Sequence, residues 1–429
     1  MKTYPAFSLA VVIAALVLNA RTATVFAQGS LTPTGAPAPT MKTLDQIEPR
    51  TPISSVPYSI TQPGSYYLTT NLSAGAGFGG ISIGFGVNNV TVDLNGFTLS
   101  GSSTNSAVGI FVLSGNVRVR NGNIAGWGGE GIDAVASSGC VFEDLLVAGN
   151  GRGASPTSGL RAGNDAQIIR CTIVSNSSIG ILAGAHARVE SCLAASNGDI
   201  GIQAGSQSVL EGCTSDGNNQ SGFDVGLDSV LARCVASSNK FVGINANSNC
   251  RLTDCVASYN TSVGVAIQSG SSASGCVAAG NLLGGLTAYG NGLISHCSAS
   301  GNTGAGISVQ SPGVTIMNCN SDNNTQDGIL VNYGGCSIVG NLLRNNDTAN
   351  ATGNFRINAA GNHIEGNRIV YTFGFAIQSS IAAATNNVII RNTTSGNTNN
   401  IFSIGAGNDV GPWGKAATAT SPWANIFNF

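Results

Sequence analysis

Residues 171–233 read CTIVSNSSIGILAGAHARVES, CLAASNGDIGIQAGSQSVLEG and CTSDGNNQSGFDVGLDSVLAR, which are three consecutive units of 21 residues. Each unit opens with cysteine, carries asparagine five residues later and has glycine four residues after the asparagine. The same spacing continues to Cys297, and Cys319 follows 22 residues later. A period in this range indicates a solenoid, in which each repeat forms one coil and stacks on its neighbours.

The repeated residues form columns if the coils stack in register. The cysteine column consists of Cys171, Cys192, Cys213, Cys234, Cys255, Cys276 and Cys297. The asparagine column consists of Asn176, Asn197, Asn218, Asn239, Asn260, Asn281 and Asn302. We interpret both columns as structural ladders, because stacked amides can hydrogen-bond along a column and asparagine tolerates a left-handed backbone. The glycine column, which begins at Gly180, is interpreted as a second tight turn.

Apolar residues alternate on both sides of the cysteine position, and the phase of the alternation changes just before it. This pattern predicts three short strands per coil, each turning one side inward. The frame extends from Val92 to Ile389, mostly with asparagine in place of cysteine at the outer coils, so fourteen coils can be counted. At a strand spacing of about 4.8 Å, they would form a rod roughly 65 Å long. The expected fold is all-β, a single-stranded parallel β-solenoid with a minimal coil of 21–22 residues.

The N-terminal segment has the composition of an export signal. Residues 1–27 combine Lys2, an apolar run and a small-residue cleavage site, which predicts a secretory signal peptide. Residues 28–40 (QGSLTPTGAPAPT) predict a flexible linker. The mature protein is therefore expected to be secreted by a bacterium, to the extracellular space or the periplasm, with no membrane span after cleavage.

A solenoid needs its exposed terminal coils to be covered. Residues 41–85 predict an N-terminal cap, with a short helical turn at 41–50, followed by the first strands. Residues 86–405 predict the β-solenoid itself. Residues 406–429 concentrate aromatic residues in a chain otherwise poor in them, which predicts a C-terminal cap and raises the alternative of tryptophan stacking on a glycan.

Composition excludes several classes of function. Only 9% of the residues are charged and the formal net charge is −2, so the basic stripe that nucleic-acid binding requires is missing. A hydrophobic content of 42% with a clear period argues against disorder.

The eleven cysteines would suggest disulfides in an exported protein. Successive ladder cysteines, however, point the same way from parallel, in-register strands, which suits the disulfide dihedral badly. We therefore predict buried free thiols that behave as small hydrophobic side chains. A straight column of ligands also cannot form a tetrahedron, so no metal site is predicted there.

The repeat N-x-x-x-G-I resembles that of the right-handed parallel β-helix repeat proteins, the pectate-lyase-like superfamily. Ile364-Glu365-Gly366-Asn367, the segment 397–408 (NTNNIFSIGAGN) and the segment 93–97 (DLNGF) are similar to an exported, uncharacterised bacterial group within it. The resemblance covers essentially the whole mature chain. It implies the fold, and for the enzymes of the superfamily it implies action on acidic polysaccharides with clustered carboxylates, calcium or a basic residue. A shared fold does not by itself imply a shared function.

One region combines acid, base, aromatic residue and loop. Asp133 and Arg161 fall at the same outward position of successive coils, beside Glu130, Trp127 and an insertion at 151–155. We predict Asp133, Arg161 and Glu130 as candidate catalytic residues. Trp127 and Arg152 are the predicted ligand-binding residues. The alternative for Asp133 and Arg161 is a surface ion pair, worth under about 1 kcal/mol.

Two functions remain open at this stage. The first is a non-catalytic extracellular scaffold or glycan-binding rod, because the central coils carry flat faces of Ser, Thr, Asn, Gln and Ala. The second is a polysaccharide-processing enzyme, a lyase, glycoside hydrolase or epimerase. A groove around residues 127–161 would favour the enzyme and a flush surface the scaffold. The expected partner is a polysaccharide or cell-surface glycan; no cofactor is evident, and Ca²⁺ enters only in the enzyme alternative.

Overall fold

A computed structural model of the chain describes residues 49–102, 106–153, 157–348, 353–371, 374–379, 381–396 and 401–428. Residues from Arg50 onward form one compact unit. The predicted signal peptide and linker lie outside the described residues, as does the predicted helical turn apart from its last two positions.

The described residues form strands joined by turns, and they contain no helix. The strands, in chain order, are β1 (Thr51–Ile53), β2 (Tyr58–Ile60), β3 (Gly64–Leu68), β4 (Leu72–Ser73), β5 (Ile81–Ile83), β6 (Val90–Asp93), β7 (Thr98–Ser100), β8 (Ile110–Val112), β9 (Val117–Ala125), β10 (Ile132–Ser138), β11 (Val141–Ala148), β12 (Leu160–Asn164), β13 (Gln167–Ile169), β14 (Thr172–Val174), β15 (Ile181–Ala183), β16 (Arg188–Glu190), β17 (Leu193–Ala195), β18 (Ile202–Ala204), β19 (Val209–Glu211), β20 (Thr214–Asp216), β21 (Phe223–Val225), β22 (Val230–Ala232), β23 (Val235–Ser237), β24 (Ile244–Ala246), β25 (Arg251–Thr253), β26 (Val256–Ser258), β27 (Val263–Ile267), β28 (Ser272–Ser274), β29 (Val277–Ala279), β30 (Gly284–Ala288), β31 (Leu293–Ser295), β32 (Ser298–Ser300), β33 (Ala305–Val309), β34 (Thr315–Met317), β35 (Asn320–Asp322), β36 (Ile329–Val331), β37 (Ser337–Val339), β38 (Leu342–Arg344), β39 (Gly353–Ile357), β40 (His363–Glu365), β41 (Arg368–Val370), β42 (Phe375–Ser379), β43 (Val388–Ile390), β44 (Thr393–Ser395), β45 (Phe402–Ile404), β46 (Asp409–Val410), β47 (Trp413–Gly414) and β48 (Asn425–Asn428).

These strands pair in parallel to form two long sheets. Sheet A contains 32 strands, generally two from each coil, one on either side of the cysteine position. Sheet B contains the remaining 16 strands, one from each coil, in the order β2, β5, β8, β10, β12, β15, β18, β21, β24, β27, β30, β33, β36, β39, β42 and β45. The prediction of a parallel β-helix with three strands per coil is confirmed. Sheet B has two strands more than the fourteen coils counted, because β2 and β5 of the N-terminal segment already pair within it.

Each coil turns at three corners, and one residue at each corner has a left-handed backbone. In the coil of Cys171 these residues are Asp165 (φ 57°), Arg170 (φ 51°) and Ser175 (φ 56°). The prediction that the column asparagines take this conformation is wrong, because the left-handed residue is the one just before Asn176. Such a backbone puts Cβ near the following carbonyl oxygen and costs a non-glycine residue roughly 1–2 kcal/mol.

Glycine recurs in this column for a reason other than the predicted tight turn. Gly243 does not have a positive φ, but a Cβ placed on it would lie 2.5 Å from the carbonyl oxygen of Gly264 and 2.6 Å from Nδ2 of Asn260. Glycine is therefore required because the next coil and the asparagine ladder approach its backbone closely.

The asparagine ladder is continuous and buried. Nδ2 of each amide donates to Oδ1 of the next, from Asn150 to Asn346, at 2.8–3.1 Å. A second amide ladder begins where the cysteine column ends, since Asn341, Asn367, Asn392 and Asn425 are joined in the same way at 3.0–3.1 Å. The ladders satisfy backbone groups inside the corners, where a buried polar group without a partner would be costly.

All eleven cysteines are buried free thiols. The Sγ of Cys213, for example, lies 3.4 Å from the carbonyl oxygens of both Val189 and Glu211. Burial raises the pKa of the Cys250 and Cys336 thiols, which keeps them protonated and unreactive. The cysteines share the core with inward-facing Ile, Val, Leu and Ala side chains.

Candidate ligand-binding face

The outer face of sheet B carries the predicted catalytic residues. Asp133 on β10 and Arg161 on β12 are register partners on neighbouring coils, and Glu130 precedes β10. Nη1 of Arg161 lies 3.9 Å from Oε1 of Glu130. Oδ1 of Asp133 accepts a hydrogen bond from the backbone N–H of Val135 at 3.2 Å. The three residues are thus brought together, and the ion pair forms with Glu130 rather than with Asp133.

Burial affects the pKa of Glu130 within this group. The side chain of Glu130 is 13% exposed, and burial raises its pKa, with the nearby Asp133 charge acting in the same direction and Arg161 opposing it. Arg161 is 38% exposed, yet its Nε is buried and has no hydrogen-bond partner in the described part of the chain. A raised pKa favours the protonated form of the carboxyl group, which is the form that can donate a proton.

The assignment of Trp127 to ligand binding is wrong. Its side chain is fully buried, and its indole Nε1–H donates to the carbonyl oxygen of Leu99 at 3.2 Å. The ring fills a slot between glycines, because a Cβ on Gly101 would lie 2.4 Å from it. The other predicted binding residue, Arg152, is exposed, in a loop where Gly153 N–H donates to the carbonyl oxygen of Gly128.

Phe111 is the aromatic residue that the face does present. It is 36% exposed and is the register partner of Asp133 on the preceding coil. Because Phe111 and Asp133 occupy equivalent positions of successive coils, the repeat frame could have found it. A cavity of about 380 Å³ adjoins its ring; the lining residues are Pro57, Gly79, Gly80, Ile81, Ser82, Val108 and Phe111.

A second acid–arginine pair occupies the equivalent place near the other end of sheet B. Nη2 of Arg356 on β39 lies 2.6 Å from Oδ2 of Asp327, which is fully buried. Asp327 stands two residues before β36 as Glu130 stands two before β10, and each arginine lies on the next coil. The Nε of Arg356, like that of Arg161, is buried without a partner among the described residues. Nine coil steps separate the pairs, which is roughly 43 Å at the strand spacing.

Between the two pairs, three neighbouring coils carry small side chains on the outer face, and we call this strip the groove. Its floor consists of Ala266, Thr287 and Ser308, which are register partners pointing outward and yet only 7–9% exposed. Leu283, 62% exposed, precedes the floor strand β30 at one edge, and Tyr289 follows it at the other. Small side chains with larger neighbours at both edges leave an open trough.

An amide series borders this groove beyond Tyr289. Nε2 of Gln310 donates to Oγ of Ser308 at 2.6 Å. Nδ2 of Asn358 donates to Oδ1 of Asn332 at 2.9 Å, and Nδ2 of Asn332 donates to Gln310 at 3.5 Å. The edge therefore offers uncharged donors and acceptors on three successive coils.

Among the residues that the structure describes, no cluster of His, Cys, Asp and Glu has the arrangement of a metal site. Within the same residues, no helix has the length and apolarity needed to cross a bilayer.

The sequence matches one protein family. The family described as "Right handed beta helix region" matches residues 108–250 and 247–356, which together exceed half of the chain. The chain therefore belongs to the right-handed β-helix family, as the repeat resemblance implied. No curated protein sequence matches it.

Three solved structures illustrate the proteins to which the chain is similar. The A-module of mannuronan C-5 epimerase AlgE4 from Azotobacter vinelandii is 16% identical, with 85% of this chain and 91% of that chain covered and a TM-score of 0.36. The periplasmic alginate epimerase AlgG is 12% identical, with 86% and 78% covered and a TM-score of 0.35. Pectate lyase Pel9A is 17% identical, with 66% of each chain covered and a TM-score of 0.27. At these identities no activity is transferred from one protein to another.

Proposed function

We propose that the protein is an exported glycan-binding rod, which holds an extended, largely uncharged polysaccharide along the groove of sheet B. The observation that supports this most directly is the groove itself, with its hydroxyl-bearing floor at Thr287 and Ser308 and its amide edge from Gln310 to Asn358. A sugar chain presents hydroxyl groups at regular intervals, and uncharged donors and acceptors repeated on successive coils match them.

The edges of the groove add apolar contact to the hydrogen bonds. Leu283 and Tyr289 can cover the C–H faces of sugar rings, while the phenol group of Tyr289 remains able to hydrogen-bond. Because each coil contributes only a weak contact, binding strength is expected to grow with the number of sugars bound at once. The acid–arginine pairs near the two ends hold their arginines in place and would mark the limits of the bound chain.

The test is binding of the mature protein to an array of polysaccharides and oligosaccharides of increasing length. A Thr287→Arg variant fills the groove floor and should abolish binding. The matched control is Thr253→Arg, which makes the same change on an outward position of sheet A. Equal binding by the two variants, or no glycan bound by the wild type, would reject the proposal.

A second candidate function is polysaccharide processing at Glu130, Asp133 and Arg161. It is favoured by one observation: a half-buried carboxyl group with a raised pKa lies near Asp133, whose register partner Phe111 lines a cavity of about 380 Å³. Glu130 would donate a proton to the leaving oxygen and Asp133 would serve as base or nucleophile, the two-carboxylate scheme of glycoside hydrolysis. Incubation with a polysaccharide panel, with and without Ca²⁺, should then yield new chain ends that Glu130→Gln and Asp133→Asn variants do not produce. Intact substrates would leave only the binding function.

A further inference from the structure

A separate cavity of about 360 Å³ lies on the outer face of sheet A, near its C-terminal end. Its lining consists of Val388, Ile390, Asp409, Val410, Gly411, Pro412 and Trp423. The first two belong to β43 and the next two to β46, so the cavity spans two neighbouring coils. It shares no residue with the sheet B groove or with the site of Glu130.

The floor of this cavity is apolar although it faces outward. Val388 and Ile390 flank Ile389, whose side chain is fully buried in the core, so alternation along β43 directs them to the outside. Ile390 is nevertheless only 9% exposed. The core does not need these two side chains, and the segment that covers Ile390 is the one carrying Trp423.

Trp423 forms a wall that is held in position. It is 50% exposed, and the guanidinium carbon of Arg391 lies 4.3 Å from the centroid of its ring. Arg391 is itself fixed, because its Nη1 donates to Glu365 at 2.7 Å and its Nε donates to the carbonyl oxygen of Pro422 at 3.1 Å. A cation against the indole face contributes roughly 0.5–1 kcal/mol at an exposed site.

The backbone next to the cavity is also tightly fitted. A Cβ on Gly411 would lie 2.0 Å from the carbonyl oxygen of Trp423. The wall and the floor are therefore assembled before any ligand arrives, which reduces the entropy lost on binding. Asp409, exposed at the rim, supplies a carboxylate.

We propose that this cavity binds one ring of a neutral sugar. The volume lies within the range of small-ligand sites, which combine apolar walls with a few placed polar groups. The C–H face of a pyranose would lie against Val388, Ile390 and the indole ring, and a hydroxyl pair would donate to Asp409. A uronic acid would be repelled by the same carboxylate. The proposal does not depend on the sheet B groove.

Tryptophan fluorescence provides the measurement, because the three tryptophans differ in environment. Trp127 is fully buried, and Trp413 is stacked on Phe402 with ring centroids 3.3 Å apart, so a bound sugar should change mainly the emission of Trp423. Methyl glycosides of neutral hexoses are titrated into the full-length mature protein. We expect a saturable change with a Kd on the order of 1 mM, corresponding to about −4 kcal/mol. Methyl glucuronide should bind at least tenfold more weakly.

Variants separate this site from the groove. Trp423→Ala should lose the response, and binding measured by calorimetry should fall at least tenfold. Asp409→Asn, a change at an exposed rim that leaves the fold intact, should weaken binding about fivefold, whereas Thr287→Arg should leave it unchanged. The proposal is overturned if no neutral sugar gives a saturable response, if Trp423→Ala binds as well as wild type, or if Thr287→Arg abolishes the signal. Protein self-association blocked by Trp423→Ala, without sugar binding, would instead assign the cavity to a second copy of the chain.

Discussion

A single buried amide connects three coils of the β-helix. Oδ1 of Asn239 accepts hydrogen bonds from the backbone N–H and the side-chain Nδ2 of Asn218, both at 3.0 Å. Its Nδ2 donates to the carbonyl oxygen of Ser215 at 3.1 Å and to Oδ1 of Asn260 at 3.0 Å. Asparagine fits because one small neutral group both donates and accepts. This explains its recurrence better than the left-handed backbone that the sequence suggested.

Replacing Asn239 with alanine should lower the free energy of unfolding by at least about 3 kcal/mol, because several buried groups lose their partners at once. Urea-induced unfolding followed by circular dichroism measures this. The matched control is Asn219→Ala, at an exposed position in the preceding coil, which should change stability by less than about 0.5 kcal/mol. Similar effects of the two substitutions would contradict a structural role for the ladder.

The ionisation of Glu130 should make the stability of the protein depend on pH. Burial raises its pKa in the folded state above the unfolded value, so folding favours the protonated carboxyl group. Its contribution to stability is therefore fully present below the unfolded pKa and is lost as the pH rises through the folded pKa. Relative to a Glu130→Gln variant, the wild type should have a lower melting temperature at pH 7, and the difference should shrink towards pH 4. A difference that grew on acidification would show that Arg161, rather than burial, dominates.

The two acid–arginine pairs occupy equivalent positions relative to the strands of sheet B. Both acid–arginine pairs put the acid just before a strand of sheet B and the arginine on the next coil, Glu130 with Arg161 and Asp327 with Arg356. In both cases the coil that carries the arginine is longer than the 21-residue minimum. Lengthened coils thus carry the arginines of both acid–arginine pairs.

Arg356→Met should destabilise the protein by about 3–5 kcal/mol, because it removes a cation that pairs with the fully buried carboxylate of Asp327. The double variant Asp327→Asn, Arg356→Met should recover part of the loss, since it removes the buried charge as well. Thermal and urea unfolding provide the measurement. Arg368→Met is the control, at an exposed position of β41 in sheet A. An Arg356→Met variant as stable as this control would show that the pair contributes little.

Similar coils stack along the β-helix, and this arrangement leaves the buried cysteines without disulfides. Each ladder thiol is buried between parallel strands, and neighbouring thiols lie on the same side of successive coils. A disulfide would require the two side chains to turn towards each other. The stacking of identical coils, and not the redox environment, keeps the thiols free.

A thiol reagent should therefore find no reactive group in the native protein and eleven after denaturation without reductant. Native thiols are shielded from the reagent by burial. Absorbance after reaction with dithiobis(nitrobenzoic acid) gives the count. Fewer than eleven thiols in the denatured state, with linked peptides found by mass spectrometry, would contradict the ladder of free thiols.

The repeat predicts the fold because the residue at each position of the coil meets the same packing or hydrogen-bonding requirement in successive coils. Cysteine and asparagine at fixed intervals mark inward positions, and alternation of apolar residues marks the strands, so the parallel β-helix and the grouping of Glu130, Asp133 and Arg161 could be read directly from the sequence. Register between coils is set by the constant repeat length, and that length is visible without a structure.

Outside the regular strand positions of the repeat, the exposure of a side chain could be established only from the tertiary structure. Trp127 lies at a corner outside the strand frame, and its burial depends on glycines from other coils that leave a slot for the ring. The reason for the glycine column, the pairing of Arg161 with Glu130, and the cavity beneath Trp423 likewise depend on contacts between coils. A repeating sequence specifies what every coil shares, whereas close packing between particular coils determines the positions at which a ligand could bind.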